Sequence, residues 1–503
     1  MKWLYERAQT HRDKLFINGL TYGDVFTLTI ATAKRLAPHL RGESRIALWA
    51  ENSVSMAIHL FALSALGVEM VLLNTNLTER EVTDQMESTG VRTLLVSEKM
   101  ARVVRMQREE CDVQIKDVSS SVCRQSQEER QYLCFSTYVD TEEQNSIRTL
   151  IERCSYPSDV DDFIDFESNL EWNPSDETVF CIINTSATTG KFKSVPVRWS
   201  QIESHVKASA KVLGVKEEDN WLVVLPMFHV SGLSIILRTL YNGTRATIRE
   251  KFLEQVVLDA LETEKVTMVS LVPTVLQRIV ERIQAPALRA ILLGGEFIPM
   301  PLLQECVKRE LPVYKTYGMS ETFAQSTTFS IQDYPNKLAS VGYPLEGVTI
   351  EILNPDEEGI GEVWISSPML MKGYLNKEPI SGAFNTDDIG YVDEDGFLYL
   401  LNRRKDIIIS GGENIYPKEI EDVLYGMDGV LECAVIPVSD PKWGQVPVLC
   451  VVTNRSEEDI SEYLLSRLAK YKVPKRIIYF DALPKNSMGK VLRQELIHTV
   501  ERT

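Results

Sequence analysis

Hydroxyls, a glycine and two lysines crowd the stretch Thr185-Ser186-Ala187-Thr188-Thr189-Gly190-Lys191-Phe192-Lys193-Ser194-Val195. Hydroxyls and backbone N–H groups donate hydrogen bonds, glycine permits close approach and lysine supplies charge, so the stretch suits a polyphosphate. The apolar run Val179-Phe180-Cys181-Ile182-Ile183 before it reads as one buried strand, and a helix-compatible segment starts near Ser200. The loop is therefore expected between a strand and a helix. It is not a Walker A loop, because Phe192 and Thr185 stand where that pattern needs a hydroxyl residue and a glycine. An ordinary polar surface loop is the competing reading.

Four further apolar runs end in residues that could handle a ligand. Trp221 to Leu225 leads into Pro226-Met227-Phe228-His229-Val230-Ser231-Gly232-Leu233, and Thr267 to Leu271 into Val272-Pro273-Thr274. Ala290 to Leu293 stops at Gly294-Gly295-Glu296, and Val313 to Thr316 at Tyr317-Gly318-Met319-Ser320-Glu321. In open α/β sheets ligands collect beyond the carboxyl ends of the strands. Singly, a histidine is usually structural and a glycine pair only a turn. The repetition carries the inference.

The elements that must position these loops follow from periodicity. Up to about residue 100, strands such as Ser44 to Trp49, Val68 to Leu73 and Val91 to Val96 alternate with helices, one of them opening at Thr21-Tyr22-Gly23-Asp24. From about 99 to 174 the chain is polar and weakly periodic, and reads as a variable surface excursion before the sheet resumes at Val179. Alternation then runs to about 335. A β-rich subdomain is expected over about 336–402, and a charged break, Asn402-Arg403-Arg404-Lys405-Asp406, precedes a compact α+β module. The expected fold class is α/β: a large N-terminal domain of mostly parallel sheets covered by helices, then a small α+β domain over 406–503.

Composition narrows the chemistry. The chain has 503 residues, 44% hydrophobic and 25% charged, enough for two or more domains. A net charge of −17 argues against nucleic acid or an anionic membrane surface as partner, so an anionic ligand must be held locally. Eight scattered cysteines and six histidines show no zinc spacing, which suits free thiols in a reducing cytoplasm. The start of the chain lacks the pattern of a signal peptide, and no uncharged run suggests a membrane span. Small molecules are the expected partners, and self-association is left open.

As a set, the loops resemble those of the adenylate-forming superfamily of acyl-CoA synthetases, luciferases and peptide-synthetase adenylation domains. The loop at Thr185 resembles its phosphate loop, and Tyr317 to Glu321 its Tyr-Gly-x-Thr-Glu segment. Asn385-Thr386-Asp387-Asp388 is similar to its Thr-Gly-Asp, Arg403 to Lys405 to its hinge, and Ser487-Met488-Gly489-Lys490 to its C-terminal lysine loop. Further segments, including Leu72 to Thr75, Ser270 to Thr274, Arg403 to Pro417 and Trp443 to Pro447, most resemble the branch of 2-succinylbenzoate–CoA ligases of menaquinone synthesis.

That resemblance implies a two-step acid–CoA ligase using ATP, Mg²⁺ and coenzyme A, with a mobile C-terminal domain hinged at 403–405. Lys490 would bridge the attacking carboxylate and the α-phosphate, and Glu321 would hold the metal. Thr185, Ser186, Thr188, Thr189, Gly190 and Lys193 would cradle the phosphates. Gly294, Gly295, Thr316, Tyr317 and Gly318 would pack around adenine, and Asp388 and Arg403 would hold the ribose. His229 would act as a steric gate more than as a general base. Ser231, Ser234 and Thr274 would touch the acid, Lys405 would be the pivot, and Gly411 and Gly412 would let the pantetheine arm pass.

The chain departs from the superfamily pattern at Ala187, Phe192, Ser194, Asp387 and Asn76. If position 187 needs φ > 0, alanine costs on the order of 1 kcal/mol there. Two alternatives therefore stand beside the main one: a synthetase for another aryl or fatty acid, and a nucleotide-binding homologue with weakened catalysis.

Overall fold

The computed structural model describes residues 1–40, 42–107, 116–117, 131–135, 167–185, 192–295, 298–403, 408–410, 413–440, 443–468, 470–486, 489 and 491–501. Two large sheets organise the N-terminal part. The first has seven strands in the order Lys116–Asp117, Gln131–Phe135, Thr93–Ser97, Arg45–Trp49, Glu69–Leu73, Val179–Thr185 and Lys193–Arg198. Its pairings are parallel except the last. The second runs Thr327–Ser330, Val313–Tyr317, Ala290–Leu293, Met268–Leu271, Asn220–Val223, Arg245–Ile248, Leu15–Ile17 and Leu20–Thr21, with antiparallel pairs only at its two edges.

Central strands such as Met268–Leu271 and Ala290–Leu293 are buried at every position, as apolar runs in a helix-covered parallel sheet must be. The Val54–Ala65 helix is likewise buried all round, because it is apolar on every face. It shares one core with Leu48, Leu72 and Ile183 of the first sheet and with Trp221, Val223 and Met268 of the second. The Tyr22–Leu36 helix starts where expected: Thr21 accepts from the Asp24 N–H, and the Asp24 carboxylate accepts from the Thr21 N–H.

Two smaller sheets follow. Thr349–Leu353, Gly361–Ser366, Phe384–Val392 and Leu398–Arg403 form an antiparallel sheet, the expected β-rich region. The C-terminal small domain has a sheet of Glu413–Ile415, Ile408–Ser410, Gly444–Thr453 and Val430–Asp440, with Arg476–Tyr479 parallel to Gly444–Thr453. The Pro417–Tyr425 and Glu457–Leu465 helices share a core with it.

Two expectations need correction. The polar excursion is not a gap in the sheet: Gln131–Phe135 pairs in parallel with Thr93–Ser97, an apolar Tyr-Leu-Cys core outweighing its polar surroundings. The loop at Thr185 does not lead into a helix either. Val179–Thr185 and Lys193–Arg198 form an antiparallel pair, so the loop is a hairpin tip, and the Trp199–Leu213 helix begins only after the second strand. Val195 and Val197 are β-branched and fully buried, which favours strand at that point. The expected phosphate binding would therefore rest on hydroxyls, amides and lysines between two strands, with no part for the Trp199–Leu213 helix.

Among the described residues no helix is long and apolar enough to cross a membrane. Cys181, Cys306, Cys433 and Cys450 are buried free thiols, and burial pushes the Cys306 thiol up to about 12, so it is inert at neutral pH.

Candidate active site

The register of the second sheet sets Val223, Leu271, Leu293 and Tyr317 at neighbouring carboxyl ends. Glycines let the loops beyond them touch. A Cβ on Gly294 would lie 2.5 Å from the Thr316 carbonyl oxygen, and one on Gly318 only 1.7 Å from the Ala324 oxygen. Gly295 has φ +91°, which favours glycine. The residues expected around adenine are thus brought together. The Asn52 side chain clamps the next loop, donating to the Leu225 oxygen at 2.8 Å and accepting from the Met227 N–H at 2.8 Å. Asn52 follows the Arg45–Trp49 strand of the first sheet, so the strand ends of both sheets meet here.

Asp388 sits in the Phe384–Val392 strand, buried, and its Oδ2 accepts from the Tyr317 hydroxyl at 2.5 Å. Strand register sets Arg403 opposite Asp388. The two residues expected at the ribose therefore stand opposite each other in register, and Asp388 reaches the loop expected at adenine. Asp387 has φ +62°, the left-handed conformation that the superfamily's glycine adopts freely. The turn persists because the Asn385 Oδ1 accepts from the Asp387 N–H at 2.8 Å and the Thr386 Oγ1 from the Asp388 N–H at 3.1 Å. Asp387→Gly relieves that strain but frees the unfolded chain, two effects of about 1 kcal/mol that nearly cancel. It also removes a negative charge beside Asp388, the residue expected at the ribose. We expect a two- to threefold lower KM for ATP, worth about 0.5 kcal/mol at the distance of a neighbouring side chain in water, with little change in Tm. ATP titrations and a melting curve check this.

Glu321 lies in the Ser320–Thr322 turn, and Phe323 and Ala324 just beyond it have φ +48° and +83°. Backbone strain of this kind collects at ligand sites. The Glu321 Oε1 accepts from the Tyr374 hydroxyl at 2.8 Å. The same hydroxyl accepts from Lys193 Nζ at 3.4 Å, and that ammonium stands 4.9 Å from the Tyr374 ring centroid. Tyr374 therefore ties the expected metal carboxylate to the exit of the phosphate hairpin, a link that the sequence reading missed. Thr185 Oγ1 donates to the Lys193 oxygen at 3.3 Å. Ser186 to Lys191, including Ala187, Thr188, Thr189 and Gly190, lie outside the described residues, as do Lys405, Gly411, Gly412 and Lys490. Among the described residues no group of three or more His, Cys, Asp or Glu could hold a metal by itself. Glu321 thus fits Mg²⁺ as one hard oxygen ligand beside nucleotide phosphates, not as part of a protein cage.

His229 precedes the Val230–Asn242 helix, with its Nε2 buried and unpartnered among the described residues. Burial lowers its pKa to about 4, so it is neutral at pH 7 and a poor base for a thiol, which favours a steric role. Ser231, Ser234 and Arg238 follow at i, i+3 and i+7, one face of the helix. The Ser231 Oγ is buried without a partner among the described residues, while the Ser234 Oγ donates to the Ser231 oxygen at 3.4 Å.

Arg238 is 1% exposed and ends a polar stripe in an otherwise apolar helix. Its Nη2 donates to the Gln325 Oε1 at 2.7 Å, its Nε to the His205 Nε2 at 3.1 Å, and its guanidinium lies 5.0 Å from the Trp221 ring centroid. Its Nη1 has no partner, and no carboxylate pairs with it among the described residues. Burial pulls even this guanidinium down, to about 9. A buried cation without a counter-charge asks for an anionic ligand. A lone arginine inside Gly232 to Leu240 was the signal that could have found it.

A cavity of about 650 Å³ opens beside these loops, lined by Phe228, Val272, Thr274, Thr75, Lys251 and Arg278 among others. Lys485, Asn486 and Gly489 of the C-terminal domain line it too, so the loop carrying Lys490 approaches the same space as Thr274. A small-molecule pocket of this size suits an aryl acid or a pantetheine arm.

Strand-end glycine loops, a hairpin at Thr185, the Glu321 carboxylate and a C-terminal loop that reaches the same cavity are the arrangement expected of an adenylate-forming enzyme. The chain belongs to the AMP-binding enzyme family: the family's main domain matches residues 4–375 and its C-terminal domain residues 419–490. It is 48% identical to the 2-succinylbenzoate–CoA ligase of Lactococcus lactis over 496 residues, 99% of this chain and 100% of that one. The o-succinylbenzoate CoA synthetase of Bacillus subtilis, in complex with its acyl-adenylate intermediate, superposes with TM-score 0.82 at 32% identity, covering 98% of this chain and 97% of that one. With ATP and magnesium ion the value is 0.80 at 31% identity, covering 98% and 99%. A double mutant of that synthetase bound to a product analogue gives 0.68 at 32% identity, covering 98% and 97%.

Proposed function

We infer that this chain is a 2-succinylbenzoate–CoA ligase, converting the acid, ATP and CoA into 2-succinylbenzoyl-CoA, AMP and pyrophosphate for menaquinone synthesis. The observation that carries this is the 48% identity to a curated ligase of that specificity across both whole chains. Arg238 adds physical support for a dicarboxylic acid. One carboxylate is activated, and the other stays anionic and needs a buried cation.

In the first step a carboxylate oxygen attacks the α-phosphorus and pyrophosphate leaves. The acid needs this, because oxide is not a leaving group and AMP is. The protein's task is alignment and charge stabilisation. Lys490 neutralises charge on the attacking oxygen and the α-phosphate. Lys193 and the hairpin hydroxyls hold the phosphates, and Tyr374 orients Glu321. Glu321, together with the nucleotide phosphates, would hold Mg²⁺, which would supply Lewis-acid neutralisation of phosphate charge.

Asp388 and Arg403 hold the ribose, while Gly294, Gly295 and Thr316 to Gly318 enclose adenine. In the second step the CoA thiol gives its proton to solvent water, sulfur attacks the acyl carbon, and the acyl–oxygen bond breaks so that AMP departs with the bonding electron pair. His229 shapes the passage where acid and thiol meet. Ser231, Ser234 and Thr274 contact the acid, and Arg238, further along the helix face of the two serines, supplies the buried positive charge. Pivoting at 403–405 brings Gly411 and Gly412 to the site for this step. The cytoplasm is the compartment that supplies ATP and CoA.

Acid-dependent exchange of labelled pyrophosphate into ATP tests the assignment. 2-Succinylbenzoate should drive exchange at least tenfold faster than benzoate or a fatty acid. Faster exchange with either of those assigns a different specificity, and ATP binding without any exchange leaves a nucleotide-binding protein.

A further inference from the structure

Lys418 lies in the first turn of the Pro417–Tyr425 helix of the C-terminal domain. Its Nζ donates to the Leu400 oxygen at 2.7 Å, in the Leu398–Arg403 strand whose register reaches Arg403 opposite Asp388. The same helix packs against that strand and against the Met300–Lys308 helix. Facing Lys418 from the N-terminal side is Lys315, 6% exposed, whose Nζ donates to the Leu338 oxygen at 2.8 Å. Burial lowers the pKa of Lys418, while Asp422, Glu421 and the ribose residue Asp388 favour its charged form. Glu421 is itself held by Arg493 at 2.8 and 2.9 Å.

Lys315 and Lys418, each donating to a backbone oxygen of the N-terminal part, share the influence of the Asp422 carboxylate across the domain boundary. Burial and repulsion together pull Lys315 down to about 7. Such a contact holds only while carbonyls and carboxylates of both sides stay in place. The arrangement it accompanies is specific: this chain superposes on one relative at 0.82 in its acyl-adenylate complex and at 0.68 in its product-analogue complex. As a whole chain it superposes better on the first of those two complexes than on the second.

We propose that Lys418 is a positioning residue that seats the C-terminal domain on the nucleotide-binding strand, so that the loop leading to Lys490 reaches the cavity for adenylate formation. It acts through the domain and touches no reacting atom. The proposal rests on the ligase reading and deepens it.

The test compares the two half-reactions in Lys418→Met, which keeps most of the side chain's length and loses the ammonium. Pyrophosphate exchange with 2-succinylbenzoate should fall about tenfold or more, the loss expected of a charge-assisted hydrogen bond. Release of AMP from pre-formed acyl-adenylate on adding CoA should stay within twofold of wild type. Lys418→Arg, which keeps a charged donor, should restore most of the exchange. Equal loss in both half-reactions, or no loss in either, overturns the proposal. If Lys418→Met does not fold, Lys418→Arg alone decides: wild-type partition between the half-reactions supports the proposal, and a uniform loss overturns it. Exchange by the wild-type protein, run alongside, separates this failure from failure of the ligase reading.

Discussion

Lys490→Ala should slow pyrophosphate exchange about 10²–10³-fold while leaving CoA-dependent release of AMP from pre-formed acyl-adenylate within threefold of wild type. The size is that of removing one preorganised charge from a phosphoryl-transfer transition state, about 3–4 kcal/mol. The asymmetry matters more than the size. Carboxylate and α-phosphate repel as they approach, and a lysine between them acts only while that charge develops; in the second step neutral acyl carbon meets sulfur and the need is gone. Lys485, Asn486 and Gly489 line the cavity, so the loop is at hand for the first step. Stopped-flow or quench measurements on each half-reaction separate the effects. Equal losses in both would remove Lys490 from its assigned role.

Arg238→Gln should raise KM for 2-succinylbenzoate about 10–100-fold with KM for ATP unchanged. A buried charge-assisted contact to the second carboxylate is worth about 1.5–3 kcal/mol. Glutamine keeps a donor for the Gln325 and His205 acceptors, so the loss is confined to charge. 4-Oxo-4-phenylbutanoate, the same skeleton without the ring carboxylate, provides the control. The wild-type enzyme should discriminate strongly against it, and the variant should treat both acids nearly alike. Steady-state kinetics on the two acids decides. Unchanged discrimination would mean that Arg238 serves only the Gln325–His205 network beneath the adenine loop.

Much of this site was legible because its signals are local. Apolar runs that stop at Gly294-Gly295 or Tyr317-Gly318 announce strand ends by composition alone, and the close approaches at Gly294 and Gly318 show why glycine stands there. What escaped is non-local. Nothing near Thr185 says that its strand belongs to one sheet and the other four strands to another; the partners Met70 to Leu72 lie more than a hundred residues away. The hairpin was misread because a polar loop hides the pairing of Val195 with Ile183. Tyr374 and Lys418 act on residues fixed by tertiary packing, so neither has a local signature. Arg238 had one, a single charge in an apolar helix, but its meaning depends on burial. Asp387 shows the converse: the sequence departure was visible, and its φ of +62° explains what the usual glycine does there.

The central claim is that this chain joins 2-succinylbenzoate to CoA through an acyl-adenylate. Incubation of the purified protein with 2-succinylbenzoate, ATP, Mg²⁺ and CoA measures it directly, with thioester, AMP and pyrophosphate quantified together. The predicted result is one AMP and one pyrophosphate per thioester, with no thioester when ATP or Mg²⁺ is withheld. ATP bound without AMP or thioester formed, or ADP as the nucleotide product, would contradict it.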